Sequence, residues 1–115
     1  MRAAIKSQYV DFPNGDVYLE QYEDGCDALV VTGVDEEGIE ETETLSVHLE
    51  AYQMTAPEGH VYVRDYAEHT GLPHALVEAG VANWKEPVQF GPYGKGWLMV
   101  LNPEISPGRE TNEHV

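Results

Sequence analysis

The stretch VYVRDYAEHTGLPHALVEAGV, residues 61–81, constrains the fold most, because it carries a full set of local start and stop signals. Val61, Tyr62 and Val63 suit a short strand. Thr70 stands where a helix N-cap is expected, and Pro73 falls in the first turn, where a missing N–H leaves nothing unpaired. Leu72, Ala75, Leu76 and Ala79 then recur at i, i+3, i+4 and i+7, the spacing of one buried helical face. Gly80 supplies a left-handed stop, and Val81 can pack back on Leu76 as in a Schellman ending. The spacing predicts a helix over about residues 71–80 with one apolar stripe to bury.

The remaining chain reads mostly as strands. Residues 5–12 alternate as a first strand, and Pro13-Asn14-Gly15-Asp16 has the composition of a hairpin turn. Residues 17–22 return with Val17 and Leu19 on one face and Tyr18, Glu20 and Tyr22 on the other. After a turn at 23–27, the run 28–32 suits a central strand, completing a meander of three antiparallel strands. Residues 35–43, DEEGIEETE, read as a solvated loop whose end is free to join a fourth strand. That strand, 44–49, turns Leu45, Val47 and Leu49 inward. Residues 54–59 form another connection. Beyond the helix, 83–87 lead to a short strand at 88–90, 91–96 form a glycine-rich hairpin connection, and 97–101 form a last strand. The expected class is α+β, a mainly antiparallel sheet of five to seven strands with the single helix packed on it. Residues 1–101 make one domain. Residues 102–115, with two prolines, a glycine and almost no large apolar side chain, read as a mobile tail.

A chain of 115 residues, 42% hydrophobic, can build a core without covalent staples. Cys26 is its one cysteine, which excludes an intrachain disulfide. The first twelve residues hold no signal-peptide core, and the longest apolar run, 97–101, is too short to span a bilayer. A cytoplasmic protein is expected. The outlying property is charge: 21 acidic against 6 basic side chains, a formal net charge of -15. Residues 1–50 hold 13 of those acids and 2 of the bases. Nucleic acid and anionic membrane repel such a surface, whereas a basic protein surface attracts it.

The acidic run Asp35, Glu36, Glu37, Glu40, Glu41 and Glu43 is the first candidate site. Extended, it offers one carboxylate per roughly 5 Å, against one charge per roughly 1.7 Å of duplex DNA. It could imitate a phosphate backbone only if Glu20, Glu23, Asp24 and Asp27 lay beside it and filled in the pattern. Tyr18 and Tyr22, interleaved with Glu20, add aromatic surface of a kind common at protein interfaces. These twelve residues are the expected partner-binding set. The plainer reading of the same charge is a solvated face that keeps the protein soluble.

No catalytic residue, metal or cofactor is expected. The acidic run lacks the ligand spacing of an EF-hand. The densest histidine group, His69 and His74 with Asp65, Glu68 and Glu78, lacks the HExxH order, and Arg64 with Glu68 is explained as a pair fixing the turn. Cys26 sits among acids that suppress its thiolate. Residues 91–96 lack the spacing of a phosphate loop.

Leu45 to Leu49, Val61 to Tyr66, Glu68 to Leu72 and Leu76 to Val81 together resemble a family of small uncharacterised proteins of phages, plasmids and other mobile elements. The resemblance covers roughly residues 42–82. It implies a mobile-element origin and carries over no activity. With the charge, it leads to the expectation of a non-enzymatic acidic interaction protein. Its target would be the basic surface of a nucleic-acid-binding protein, as in an anti-CRISPR or antirestriction inhibitor that mimics nucleic-acid charge. The alternative is a small accessory domain, soluble because acidic, whose interface is the helix or a sheet edge and which could pair as a homodimer.

Overall fold

A computed structural model of the chain describes residues 1–108. Strands β1 (Arg2–Lys6), β2 (Asp11–Gln21), β3 (Asp27–Val34) and β4 (Glu40–Thr44) form an antiparallel sheet in that order. Strands β5 (His60–Arg64), β6 (Ala82–Phe90) and β7 (Gly94–Leu101) form a second antiparallel sheet, ordered β5-β7-β6. Helix α1 (Leu72–Glu78) joins β5 to β6. Among the described residues the fold is α+β, with seven strands divided between two sheets. One core unites them: Ile5, Val17, Leu29 and Val31 of the first sheet meet Val61, Val63 and Met99 of the second, with Leu72 and Leu76 of the helix.

The helix ends as the sequence predicts. Gly80 is left-handed (φ 75°), the Val81 amide donates to the Leu76 carbonyl at 2.9 Å, and the Gly80 amide to that of Val77 at 3.1 Å. Its start differs. Gly71 (φ 79°) occupies the cap position and donates its N–H to Asp65 Oδ1 at 2.8 Å, while Thr70 Oγ1 donates back to the Ala67 carbonyl, closing a 3₁₀ turn at Ala67–His69. The Asp65 carboxylate, six residues before Gly71, accepts its amide, and Thr70 does not cap the helix.

Several strand boundaries move, β7 among them: it begins at Gly94, so residues 94–96 of the expected glycine-rich connection lie in the strand. The first hairpin turns at residues 7–10, where the Ser7 amide donates to the Val10 carbonyl, and Pro13-Asn14-Gly15-Asp16 lies inside β2. Between the pairs Ala3↔Gly15 and Ile5↔Phe12, Pro13 and Asn14 oppose only Ala4. That bulge accommodates the proline and returns Phe12 and Val17 to the same buried face. The fourth strand begins earlier than expected and holds Glu40, Glu41 and Glu43. Thr42 and Thr44 pair with Thr32 and Val30, and residues 45–49 cross to the other sheet, where Val47 bridges Tyr62. In the second sheet β6 takes in residues 83–87, with Lys85 bulged and Pro87 tolerated because β6 is an edge strand.

The tail expectation divides. Ile105 joins the core at 7% exposure, the Leu19 amide donates to the Ser106 carbonyl, and the Gly108 amide donates to the Leu19 carbonyl. Residues 106–108 are therefore docked beside β2, Asn102 is bonded to Gly80 and Val81, and residues 109–115 lie outside the described residues. No helix among the described residues is long and apolar enough to cross a membrane.

Candidate functional site

The antiparallel meander decides where the acids go. β3 spans eight residues, and at roughly 3.3 Å per residue its ends lie about 23 Å apart. The β2–β3 turn, with Glu23 and Asp24, is at one end; the β3–β4 turn, with Asp35, Glu36 and Glu37, is at the other. Between them, on the sheet face away from the main core, β3 carries Ala28, Val30 and Thr32, all buried and paired across the strand with Glu20, Tyr18 and Asp16, and no carboxylate. The ten expected acids thus form two groups, and the hairpin acids do not fill in beside the acidic run.

The two tyrosines are not an exposed aromatic face. Tyr18 is 5% exposed and shares a small cluster with Ala28 and Val30, because small and branched cross-strand neighbours let its ring lie over them. Its hydroxyl bonds Thr32 Oγ1 at 2.9 Å, which in turn bonds Thr42 Oγ1 at 3.0 Å. Tyr22 is half-buried, and burial pushes its hydroxyl pKa up.

At the first end, Glu20 and Glu23 are exposed and Asp27 is half-buried. Asp24 is committed within the turn. Its Oδ1 accepts the Cys26 amide at 3.0 Å and its Oδ2 lies 2.9 Å from His48 Nε2. The Cys26 amide is the largest cause holding the Asp24 carboxyl below the usual carboxylate range, and a hydrogen bond with that carboxylate pushes the Cys26 thiol up.

The second end is built differently. Asp35 Oδ1 accepts the amides of Glu37 and Ile39, both at 2.9 Å, and Gly38 (φ 83°) completes the turn. The Asp35 side chain therefore shapes the loop while Glu36 and Glu37 project. With Asp11 and Glu41, Asp35 and Glu36 surround a hollow of about 370 Å³ whose apolar lining is Phe12, Pro13 and Val34. Val34 and Ile39 are 64% and 57% exposed at this end. Asp11 is paired with Lys6 at 2.9 Å; Glu36, Glu37 and Glu41 have no cationic partner among the described residues.

Glu43, on the same strand as Glu40 and Glu41, serves the interior instead. Its Oε2 lies 3.2 Å from Nε2 of the buried His69, tying the edge of the first sheet to the turn before the helix. The other members of that histidine group disperse. Arg64 pairs with Glu68 at 2.9 Å as expected, Asp65 serves the Gly71 amide, and His74 meets Glu78 at 3.5 Å on the exposed helix face. What the sequence did not reveal is the proximity of His48 to Asp24 and Cys26. The Asp-Gly-Cys spacing marks a turn, but nothing local says which histidine the crossing segment 45–49 brings to it.

No family model, curated protein or solved structure matches the chain.

Proposed function

We propose that this chain is a non-enzymatic interaction protein that receives a basic protein segment at the β3–β4 end of its first sheet. The observation that carries the reading is the hollow lined by Asp11, Asp35, Glu36 and Glu41 over Phe12, Pro13 and Val34. An apolar lining under carboxylates suits Lys or Arg, whose aliphatic stems lie on carbon while their heads meet acids. Glu36, Glu37 and Glu41 are exposed and available to a cation from outside. Exposed Val34 and Ile39 add apolar contact.

The acids form a local group, so the partner that fits is one basic loop or helix rather than a long phosphate-binding channel. The mobile-element resemblance of residues 42–82 narrows the partner to a nucleic-acid-binding enzyme of host defence, whose basic loop this chain would occupy as an inhibitor. Attraction between opposite charges makes association fast and salt-sensitive, since charges screen over roughly 8 Å at physiological ionic strength.

The test is affinity capture from host lysate with three baits: the native chain, the triple variant Glu36→Lys, Glu37→Lys, Glu41→Lys, and a control with Glu20→Lys and Glu23→Lys at the opposite end. The native and control baits should retain the same nucleic-acid-binding protein, released by salt and by added DNA or RNA, and the triple variant should lose it. Equal capture by the triple variant would refute the assignment.

A further inference from the structure

At the other end of the first sheet, Asp24, Cys26 and His48 bring a carboxylate oxygen, a thiol sulfur and an imidazole nitrogen within 4.8 Å of one another. We infer that these three side chains form a binding site for a thiophilic divalent transition ion of the Zn²⁺ class. The site is independent of the basic-partner reading, which uses the opposite end of β3.

The distances are close to what such an ion needs. Bonds of about 2.0–2.3 Å in tetrahedral geometry set donor atoms about 3.3–3.6 Å apart. Asp24 Oδ2 and His48 Nε2 stand at 2.9 Å and must open slightly; the sulfur, within 4.8 Å of a carboxylate oxygen of Asp24 and a ring nitrogen of His48, must close by about 1.2 Å at most. Small rotations of side chains in a surface turn supply that.

Asp24 uses Oδ1 to hold the Cys26 amide, which fixes the spacing of Asp24 and Cys26, and its Oδ2, now against His48 Nε2, would exchange that contact for the ion. Left-handed Gly25 (φ 89°) and the bonds from the Gly25 amide to the Tyr22 carbonyl and from the Tyr22 amide to the Cys26 carbonyl close the turn. His48 is stacked on Tyr22, ring centroids 4.2 Å apart and 12° from parallel. The Tyr22 hydroxyl is tied at 2.8 Å to Ser46 Oγ, which accepts the Leu29 amide of β3 at 2.9 Å. The imidazole is thus held by a platform anchored in the sheet, which fixes the plane of its ring.

Sulfur and nitrogen donors select Zn²⁺-like ions over Mg²⁺ and Ca²⁺, which prefer an all-oxygen shell. Glu23 and Glu50 line the same hollow as Tyr22, Asp24 and His48, and their charge favours a dication. A fourth position is open to one of these carboxylates or to water. On binding, the Cys26 thiol releases its proton to solvent as Sγ bonds the ion; nothing is oxidised or reduced. The ion would clamp the β2–β3 turn to the segment that crosses between the sheets, and ligand linkage then stabilises the fold.

The test titrates the full reduced chain, stripped with chelator, with Zn²⁺ alone in excess Mg²⁺, beside Cys26→Ser, His48→Gln and, as a control, His74→Ala. The native chain and the control should bind one equivalent and melt at a higher temperature with Zn²⁺; the two site variants should lose at least about tenfold in affinity. Co²⁺ added to the native chain should give a thiolate-to-metal charge-transfer band, a readout that needs no variant to fold. Absence of that band, or Zn²⁺ affinity unchanged in Cys26→Ser and abolished by Mg²⁺, would overturn the proposal and leave only scattered surface carboxylates as the ligands.

Discussion

Replacing Gly96 by alanine tests whether the glycine-rich segment is a turn or part of a strand. In β7, Gly96 pairs with Arg64 of β5, and a Cβ there would sit 2.4 Å from the Val63 carbonyl oxygen and 3.1 Å from Arg64 Cα. Ordinary contact begins near 3.4 Å. Both neighbours are backbone, so β5 and β7 would have to part by about 1 Å where the ladder bonds hold them. Overpacking of that kind costs about 2–3 kcal/mol. With a urea m-value near 2 kcal/mol/M, the midpoint of unfolding should fall by about 1–1.5 M with the slope unchanged. Gly38→Ala is the comparison. Nothing lies within 4 Å of its Cβ position, and only the left-handed backbone (φ 83°) resists a side chain, at about 1 kcal/mol. Urea unfolding followed by circular dichroism measures both. If Gly96→Ala shifted the midpoint no more than Gly38→Ala, residue 96 would not lie between two strands, and the register of the second sheet would be refuted.

Glu43→Ala should destabilise by about 1–3 kcal/mol, because it leaves both ring nitrogens of buried His69 without a partner. Glu41→Ala, exposed on the same strand, should stay within about 0.5 kcal/mol, and equal effects in urea unfolding would count against the pairing. Gly80→Ala should cost about 1 kcal/mol in thermal unfolding, since its Cβ meets open space and the penalty is the left-handed backbone alone; a neutral result would contradict the helix ending. The Glu68 carboxyl should titrate below its ordinary value in an NMR pH series, chiefly through its backbone hydrogen bond and then through Arg64. Its stabilising effect is therefore present above the unfolded pKa and fades as pH falls through the lower folded one. Arg64→Gln should restore only part of the shift, and full restoration would make the ion pair the main cause.

Much of the fold is legible where the signal is local. The helix stop at Gly80 and Val81, the central run of β3 and the turn at 23–27 each depend on residues adjacent in the chain, so a sequence carries them directly. Pro13-Asn14-Gly15 misleads because turn composition is also bulge composition, and only the facing strand distinguishes them. The buried face of residues 12–17 is recovered through one bulge opposite Ala4. Gly94 and Gly96 mislead in the same way: their requirement is close approach by Phe90 and Val63, which no neighbouring residue announces.

By itself the sequence determined a single α+β chain of antiparallel strands with one capped helix, and an excess of negative charge on its first half. Tertiary structure alone decided where that charge stands. An eight-residue β3 puts its two turns at opposite ends, so carboxylates close in sequence become two groups, one facing solvent around an apolar hollow and one drawn into a turn with His48. It also sent Tyr18 inward and gave Glu43 to His69. Net charge is a sum over the chain and survives any folding. Which charges are neighbours is a matter of strand length and pairing, and those follow from contacts between residues far apart in sequence.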